Sequence, residues 1–365
     1  MSDRVKELEE LIKYHSDLYY NGQAEITDAE YDLLIEELRE LDYKNPLLFR
    51  VGYSPRGYGK VVQHSVPMGS LDKVPDIKKI IGWAIWNSGG TGEIVVMPKI
   101  DGCALRLKYE DGRLVEAATR GDGKMGMDVT DNVYQIKSIP KIIDNFSGEV
   151  LGEIYIKRSD FDKLLQEGLN FKNSRNAASG SIMSKDPQEV GKRRLSFLAY
   201  GLRFKSGKKF VSEINLLKAL GGLGFEYVNA DSINVKILNS VIKGWEESRK
   251  DLDYEIDGLV ISINDLERQE KAGFNGLNPI GKIAYKFLPE IGKAKVLGID
   301  WQVGRTGRLT PMARIEPTLL AGSTISNITL HNSARLRGLR LEVGDMVSIC
   351  KAGDIIPAVL KNLSY

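Results

Sequence analysis

The sequence predicts an α+β protein in three parts: a helical N-terminal unit, a middle region of antiparallel sheet with helices, and a small C-terminal β-barrel. Three observations predict it. Apolar residues recur at helical spacing over the first 40 residues. Short β-like runs separated by turn signals fill residues 93–287, with helical stretches between them. From Ile291 onward, strand patterns follow one another at short spacing. The expected boundaries are residues 1–62, 63–289 and 290–365.

The first helix is predicted by Val5, Leu8, Leu11, Ile12 and Leu18. The second begins at Asp28, a residue suited to capping it, with Glu30 in the first turn. Tyr31, Leu34, Ile35 and Leu38 then form one apolar stripe. Residues 45–63 hold Pro46, Pro55, Gly52, Gly57 and Gly59, a breaker density that reads as a connector. In the middle region, turn signals such as Asp111-Gly112 and Gly121-Asp122-Gly123 separate the strand runs. Helices are expected near 159–167 and 241–250. At least four strands follow Ile291, and an OB-fold needs about five.

Composition narrows the class of protein. With 365 residues, 42% hydrophobic and 27% charged, the chain has material for several cores. Lys+Arg number 51 against 49 Asp+Glu, so any nucleic-acid surface must come from the placement of cations rather than their excess. Two cysteines, Cys103 and Cys350, exclude a disulfide framework and leave no four-cysteine zinc site in this chain. His15, His64 and His331 form no cluster in the sequence. The charged N-terminus lacks the apolar core of a signal peptide, and no run approaches the ~18 apolar residues of a membrane span. The expected location is cytoplasmic, with no membrane partner.

The chemistry-bearing residues appear in a definite order. Lys99-Ile100-Asp101-Gly102 follows an apolar run, and a lysine there becomes a nucleophile once desolvation and neighbouring cations neutralise it. Thr119-Arg120-Gly121-Asp122-Gly123 sets a cation beside a tight turn. Glu153 lies within the strand pattern Gly152-Glu153-Ile154-Tyr155, and Asp257-Gly258 opens another strand. Lys286 stands among apolar residues in Ala284-Tyr285-Lys286-Phe287.

This order resembles the covalent nucleotidyltransferase superfamily of ligases and capping enzymes. Leu18-Tyr19-Tyr20, followed by Glu25-Ile26-Thr27-Asp28-Ala29-Glu30-Tyr31-Asp32, resembles the NMN-recognition domain of NAD-dependent DNA ligases of bacterial or phage type. Tyrosine faces suit a nicotinamide ring, and aspartates suit its cationic and hydroxyl groups. The likeness extends over nearly the whole chain. It includes Val66-Pro67-Met68-Gly69-Ser70-Leu71-Asp72 beside the adenosine, and an arginine-containing loop, 173–181, with Arg175. It also includes Arg249 ahead of Asp257, and the barrel signatures Val303-Gly304-Arg305-Thr306-Gly307 and Lys351-Ala352-Gly353-Asp354-Ile355-Ile356-Pro357.

The resemblance implies roles for these residues. Lys99 would form the lysyl-AMP bond, with Asp101 in its motif, and Glu153 would hold the ribose. Asp257 would handle metal and phosphate, while Lys286 and Arg120 would stabilise phosphate charge. Tyr19, Tyr20, Asp28, Tyr31 and Asp32 would bind the NMN half of NAD. Ser70, Leu71, Arg175, Tyr200 and Arg249 would line the nucleotide site. Arg305, Thr306 and Lys351 would meet DNA. Mg²⁺ would be held largely through phosphates and water, with Asp257 and Glu153 at hand. The implied host is a bacterial cell or a phage-infected one, and the implied partner is nicked double-stranded DNA.

Four positions depart from the family pattern. Met97 stands for a glutamate, Met183 for an arginine, Ser262 for a lysine, and Met127 for the glutamate of Gly-Glu-Asp-Val-Thr. The family also continues into a zinc module and helix-hairpin-helix repeats. An excised core, a short ligase, or one subunit whose partner carries those modules all remain open. So do a nick-binding or split-ligase subunit with impaired turnover, and an RNA acceptor.

Overall fold

The computed structural model describes residues 3–20, 26, 28–42, 45, 47, 60–171, 173–205, 210–287, 291–303, 307, 309–320, 323–352 and 356–364. The chain divides into two compact units: Met1–Ala24 with Asp42–Phe287, and Glu25–Leu41 with Leu288–Tyr365.

Helices α1 (Asp3–Tyr20) and α2 (Asp28–Leu41) come first. Then come β1 (Val61–Gln63), β2 (Asp72–Lys73), α3 (Ile77–Asn87), β3 (Glu93–Ile100), β4 (Cys103–Glu110), β5 (Arg113–Thr119) and β6 (Met125–Met127). Next are α4 (Thr130–Tyr134), β7 (Gly148–Ile156), α5 (Arg158–Gln166), α6 (Ser174–Ile182), α7 (Pro187–Lys192), β8 (Leu195–Phe204), α8 (Glu213–Gly222), β9 (Asp231–Asn234) and α9 (Leu238–Ser248). The first unit closes with β10 (Ile256–Ile263), α10 (Leu266–Ala272), β11 (Phe274–Asn275), β12 (Asn278–Pro279) and β13 (Lys282–Lys286).

Two sheets organise the first unit. One has the order β2-β13-β10-β3-β9, the other β5-β4-β7-β8. The pairs are antiparallel as expected, except that β2 runs parallel to β13. Strand β3 shows why its sequence reads as one apolar run: both its faces are buried. Ile94 and Val96 enter a core with Ile80 and Ala84 of α3 and Leu238 and Ile242 of α9. Val95 and Met97 point the other way, into the larger core shared with Leu105, Val150 and Phe197. A fully buried aliphatic side chain contributes roughly 1.5–3 kcal/mol. This burial, rather than surface charge, holds the platform under Lys99.

Local capping sets several helix starts. The Asp76 side chain accepts from the Lys78 N–H to begin α3, and the Trp83 indole N–H donates to the Ile280 carbonyl at 3.0 Å. The segment expected as an arginine-containing loop is instead helical. Asn173 caps α6 by accepting from the Asn176 N–H at 2.7 Å, and Ala177, Ala178 and Ile182 are fully buried. Small side chains on one face let this helix lie close to the sheet. The connector likewise ends in structure, because Val61–Gln63 pairs with Met125–Met127.

The second unit contains α2 and the strands β14 (Ile291–Val303), β15 (Leu309–Leu320), β16 (Ser323–Thr329), β17 (Met346–Ala352) and β18 (Ile356–Asn362), with α11 (Ser333–Gly338) after β16. The order β16-β15-β14-β17-β18 supplies the five strands an OB-fold requires. Its core includes Val296, Ala313, Ile315, Ile328, Val347, Ile349 and Val359. Within this unit, His331 Nδ1 lies 2.8 Å from Glu30 Oε1 of α2.

Candidate active site

Sheet register creates the site. Lys99 of β3 stands opposite Gly258 of β10, and Gly258 stands opposite Lys286 of β13. The two lysines therefore flank one β10 position, although they are 187 positions apart in sequence. The register shifts between Ile256 and Gly258, leaving Asp257 as the extra residue of a bulge. A Cβ on Gly258 would lie 2.0 Å from the Tyr285 carbonyl oxygen, so only glycine allows this approach. The Asp-Gly pair thus has a packing cause for its glycine and a chemical one for its aspartate.

The Lys99 ammonium lies 2.9 Å from Asp257 Oδ1 and 3.0 Å from Oδ2, and Lys286 Nζ is 3.6 Å from Oδ2. Burial alone would lower the Lys99 pKa, but the Asp257 carboxylate outweighs it and holds the lysine above its ordinary value. Burial would raise Asp257, and the charges of Lys99 and Lys286 outweigh that, holding it below the usual carboxylate range. At rest the nucleophile candidate is a cation clamped to its neighbour.

The second sheet supplies the facing wall. Glu153 of β7 lies opposite Ala104 of β4, and a Cβ on Gly102 would meet the Ile154 carbonyl at 2.2 Å. That close approach brings the Lys99 motif against β7. Burial pushes the Glu153 carboxyl up to about 7, against the opposing charges of Lys99, Arg175 and Arg120. Arg175 Nη1 donates to Asp101 Oδ1 at 2.7 Å. Burial raises the Tyr200 hydroxyl, with Glu153 adding to the shift and Arg120 opposing it. Burial and Glu153 push the Cys103 thiol up to about 11, so it stays protonated. Lys99, Asp101, Arg120, Glu153, Arg175, Tyr200, Asp257 and Lys286 therefore converge at one end of the two sheets.

Three further nucleotide candidates belong to the same unit. Ser70 and Leu71, both half-buried, lead into β2, which pairs with β13 through Asp72 and Ile283. The Arg249 guanidinium lies 5.4 Å from the centre of the Phe287 ring, one residue beyond Lys286. Tyr19 and Tyr20 close α1, and Asp28 and Asp32 lie on α2, but the side chains of these four are outside the described residues. Tyr31, on α2, is half-buried. Arg305 and Thr306 also lie outside the described residues. Lys351 of β17 is only 8% exposed, so the one described DNA candidate is not presented on the surface.

All four departures from the family pattern are packed in the fold. Met97 (3% exposed) joins the large core, Met183 packs half-buried against it, and Met127 of β6 is buried opposite Val61. Ser262 is fully buried between Val95 and Lys282, and its Oγ has no hydrogen-bond partner. No group of three or more His, Cys, Asp or Glu side chains is placed to hold a metal ion among the described residues. An ion here would depend on phosphate oxygens and water, with Asp257 and Glu153 the carboxylates at hand.

One feature had no signal in the sequence. Arg158, which opens α5 just after β7, grips Glu255 in a two-pronged pair at 2.8 and 2.9 Å. Ser159 donates to both Asp253 oxygens, from its N–H at 2.9 Å and its hydroxyl at 2.8 Å. The Glu255 carbonyl in turn accepts from the Asp101 N–H at 2.9 Å. The strand carrying Glu153 is thereby stapled to the segment carrying Asp257. Arg158 and Glu255 are 97 positions apart, so no local pattern announces the pair.

Residues 58–290 match the family described as NAD-dependent DNA ligase adenylation domain, and residues 293–364 match its OB-fold domain. Residues 1–55 match the DNA ligase-like, N-terminal NAD+-binding domain. The DNA ligase of Halothermothrix orenii is 40% identical over 382 residues, covering 99% of this chain and 57% of that protein. The DNA ligase of Natranaerobius thermophilus is 40% identical over 379 residues, covering 98% of this chain and 57% of that protein. The chain thus spans little more than half the length of these curated relatives. A solved structure of a Lig E DNA ligase is similar at 18% identity and a TM-score of 0.43, over 74% of this chain and 93% of that one. No helix among the described residues is long and apolar enough to cross a membrane. The matched domains and the identity to curated relatives place this chain in the family of NAD-dependent DNA ligases.

Proposed function

We propose that this chain adenylates Lys99 from NAD, releases NMN, transfers AMP to the 5′-phosphate of a DNA nick and seals it to the 3′-hydroxyl. The observation that carries this reading is the Lys99–Asp257–Lys286 cluster, walled by Glu153, Arg120 and the Arg175–Asp101 pair.

Lys99 attacks only as the neutral amine, so its proton must leave before the N–P bond forms. Asp257 opposes that loss while its charge is spent on Lys99 alone. Lys286 already faces the same carboxylate at 3.6 Å and is placed to keep Asp257 compensated once the Lys99 proton departs. The Nζ–P bond then forms as the P–O bond to NMN breaks, and NMN leaves carrying its phosphate. In the second step an oxygen of the DNA 5′-phosphate attacks the AMP phosphorus and frees Lys99. In the third the 3′-hydroxyl oxygen attacks the 5′-phosphorus, loses its proton and expels AMP. Arg120, Arg175 and Lys286 supply fixed positive charge where phosphate oxygens gain negative charge. A Mg²⁺ ion would add charge compensation, held mainly through phosphates and water near Asp257 and Glu153.

A second reading rests on the four departures. Met97, Ser262 and Met127 replace charged groups with buried residues and Met183 with a partly buried one, so this chain could bind a nick, alone or with a second subunit carrying zinc and helix-hairpin-helix modules, and turn over poorly.

The deciding experiment is intact mass after incubation with Mg²⁺ and either NAD or ATP, on protein first stripped of AMP by excess NMN. A gain of one AMP with NAD, absent with ATP and in Lys99→Ala, supports the donor and the nucleophile. No adduct with either donor favours the second reading. Sealing of matched DNA and RNA nicks then identifies the acceptor.

A further inference from the structure

His64 is buried beneath the turn that presents Arg120. Its Nε2 lies 3.1 Å from the Arg120 carbonyl oxygen, and its side chain is 5% exposed. A carbonyl only accepts, so Nε2 carries the proton and donates. Nδ1 is then unprotonated, and it is buried without a hydrogen-bond partner. Burial and the nearby Arg106 guanidinium hold the ring below its ordinary pKa, against smaller opposing effects that include Glu149, so the ring is neutral.

The ring is held from several sides. The His64 N–H donates to the Lys124 carbonyl at 2.8 Å. A Cβ on Gly126 would come within 2.9 Å of Nε2, so the glycine leaves room for the imidazole. The next residue, Ser65, donates to Glu149 Oε1 at 2.6 Å. Glu149 also accepts from Arg106, which is 2% exposed, at 2.8 Å and pairs with Arg203 at 3.5 Å. Arg106 also pairs with Glu116. His64 and Ser65 therefore link a buried ionic network on β4, β5, β7 and β8 to the Arg120 turn.

That turn is also held by other bonds: the Gly123 carbonyl accepts from the Met68 N–H at 2.8 Å, and Asp122 Oδ1 accepts from the Lys124 and Met125 N–H groups at 2.9 and 2.7 Å. Its Gly123 N–H donates to the Arg120 carbonyl at 3.0 Å, and the Arg120 N–H donates to the Ala104 carbonyl at 3.1 Å. The Arg120 charge acts on Glu153, Cys103 and Tyr200 in the site. We infer that His64 is a positioning residue for Arg120, fixing from below the backbone that sends the guanidinium to the nucleotide phosphate. The inference rests on the proposed adenylation of Lys99. Displacing a charge by about 1 Å costs on the order of 100-fold in rate, so a backbone strut need fail only partly to be seen.

The test is the single-turnover rate of self-adenylation in the full chain with NAD and Mg²⁺, alongside hydrogen exchange of residues 119–125. His64→Leu keeps the bulk and removes the donor. It is expected to slow AMP transfer about tenfold and to lower exchange protection at Gly123. His64→Gln, whose amide nitrogen reaches nearly as far as Nε2, restores most of both. His64→Leu combined with Arg120→Ala runs no slower than Arg120→Ala alone, because the histidine acts through the arginine. Unchanged rate and protection in His64→Leu overturn the inference, as does multiplication of the two losses. A rate limb near the ordinary histidine pKa that disappears in His64→Gln also overturns it, since that marks a proton carrier. If His64→Leu fails to fold, His64→Asn, polar but one atom short, takes its place with the same expectations. If the parent chain forms no adduct, the adenylation reading fails on its own, and exchange protection at Gly123 still decides whether His64 holds the turn.

Discussion

The five-stranded sheet of the first unit carries a lysine–carboxylate pair at each end, and the two pairs are built differently. At one end Lys282 of β13 meets Glu213, which is 1% exposed and also accepts from Gln269 at 3.0 Å. The Glu213 N–H donates to the Asn264 carbonyl at 2.7 Å, so that carboxylate is enclosed by its own neighbours. At the other end Lys99 meets Asp257 with 29% and 20% of the two side chains exposed. Lys286, Arg175 and Arg120 bring the cations there to four, against the three carboxylates Asp101, Glu153 and Asp257. The closed pair is complete without a ligand. The open pair carries surplus positive charge and a carboxyl titrating near neutrality, the two features by which the proposed nucleotide site differs from a structural ion pair.

The sharpest way to break this comparison is to remove the open lysine. Lys99→Ala is expected to abolish the AMP adduct in intact-mass measurements while melting within a few degrees of the parent, because the pair is partly exposed. Asp257→Asn should come next, slowing adenylation by roughly 100-fold. It should also change the pH profile. Asp257 holds the Lys99 pKa up, so without it burial and Arg175 bring that pKa down. The rising limb of rate against pH therefore moves to lower pH even as the maximum falls. No displacement of the limb would mean that Asp257 does not set the lysine's protonation.

The closed pair should behave in the opposite way. Glu213→Ala leaves the Lys282 cation without its partner and is expected to cost about 2–4 kcal/mol in denaturant unfolding. Adenylation per folded molecule should be unchanged; a lost rate would mean that the two ends are functionally joined. The smallest effect concerns Glu153. Its carboxyl titrates near 7 in the fold against an ordinary value of 4.5. Between those values the folded chain binds more protons than the unfolded one, so stability falls as pH rises from about 4.5 to 7 and is level above. Glu153→Gln should therefore melt higher than the parent at pH 8, by an amount on the order of 1–3 kcal/mol, and match it near pH 4. Equal gains at both pH values would show that Glu153 is not held near neutrality.

Legibility differed from place to place for physical reasons. Strand β3 was plain because both of its faces are buried, which makes a continuous apolar run. Four of the five barrel strands were plain, and the burial of β14 and β15 alternates toward a single core. Helix α6 was not: Ser174, Asn176, Ser179, Gly180 and Ser181 carry loop-like composition, and only contact with the sheet makes small polar residues a helix face. Helix α3 went unanticipated although Ile77, Ile80, Ile81 and Ala84 keep helical spacing. The residues the sequence grouped by their order, Lys99, Asp101, Glu153, Asp257 and Lys286, lie together in the fold. His64 and the Arg158–Glu255 clamp were not legible, since each acts through a backbone or a partner far along the chain.

The sequence by itself determined the order of the lysine, glycine and carboxylate motifs, and the chain's membership of an NAD-dependent DNA ligase family. It did so because lysine, glycine and carboxylate spacing in short motifs is a local property. Only the tertiary structure decided that Lys99 rests as a cation on a carboxylate 158 positions away, that Glu153 is held near neutrality, that Met97, Met127 and Ser262 are buried, and that Met183 packs half-buried against the large core. Those are consequences of sheet register and burial. Charge state depends on distance and solvent exclusion, and neither is set until the strands have paired.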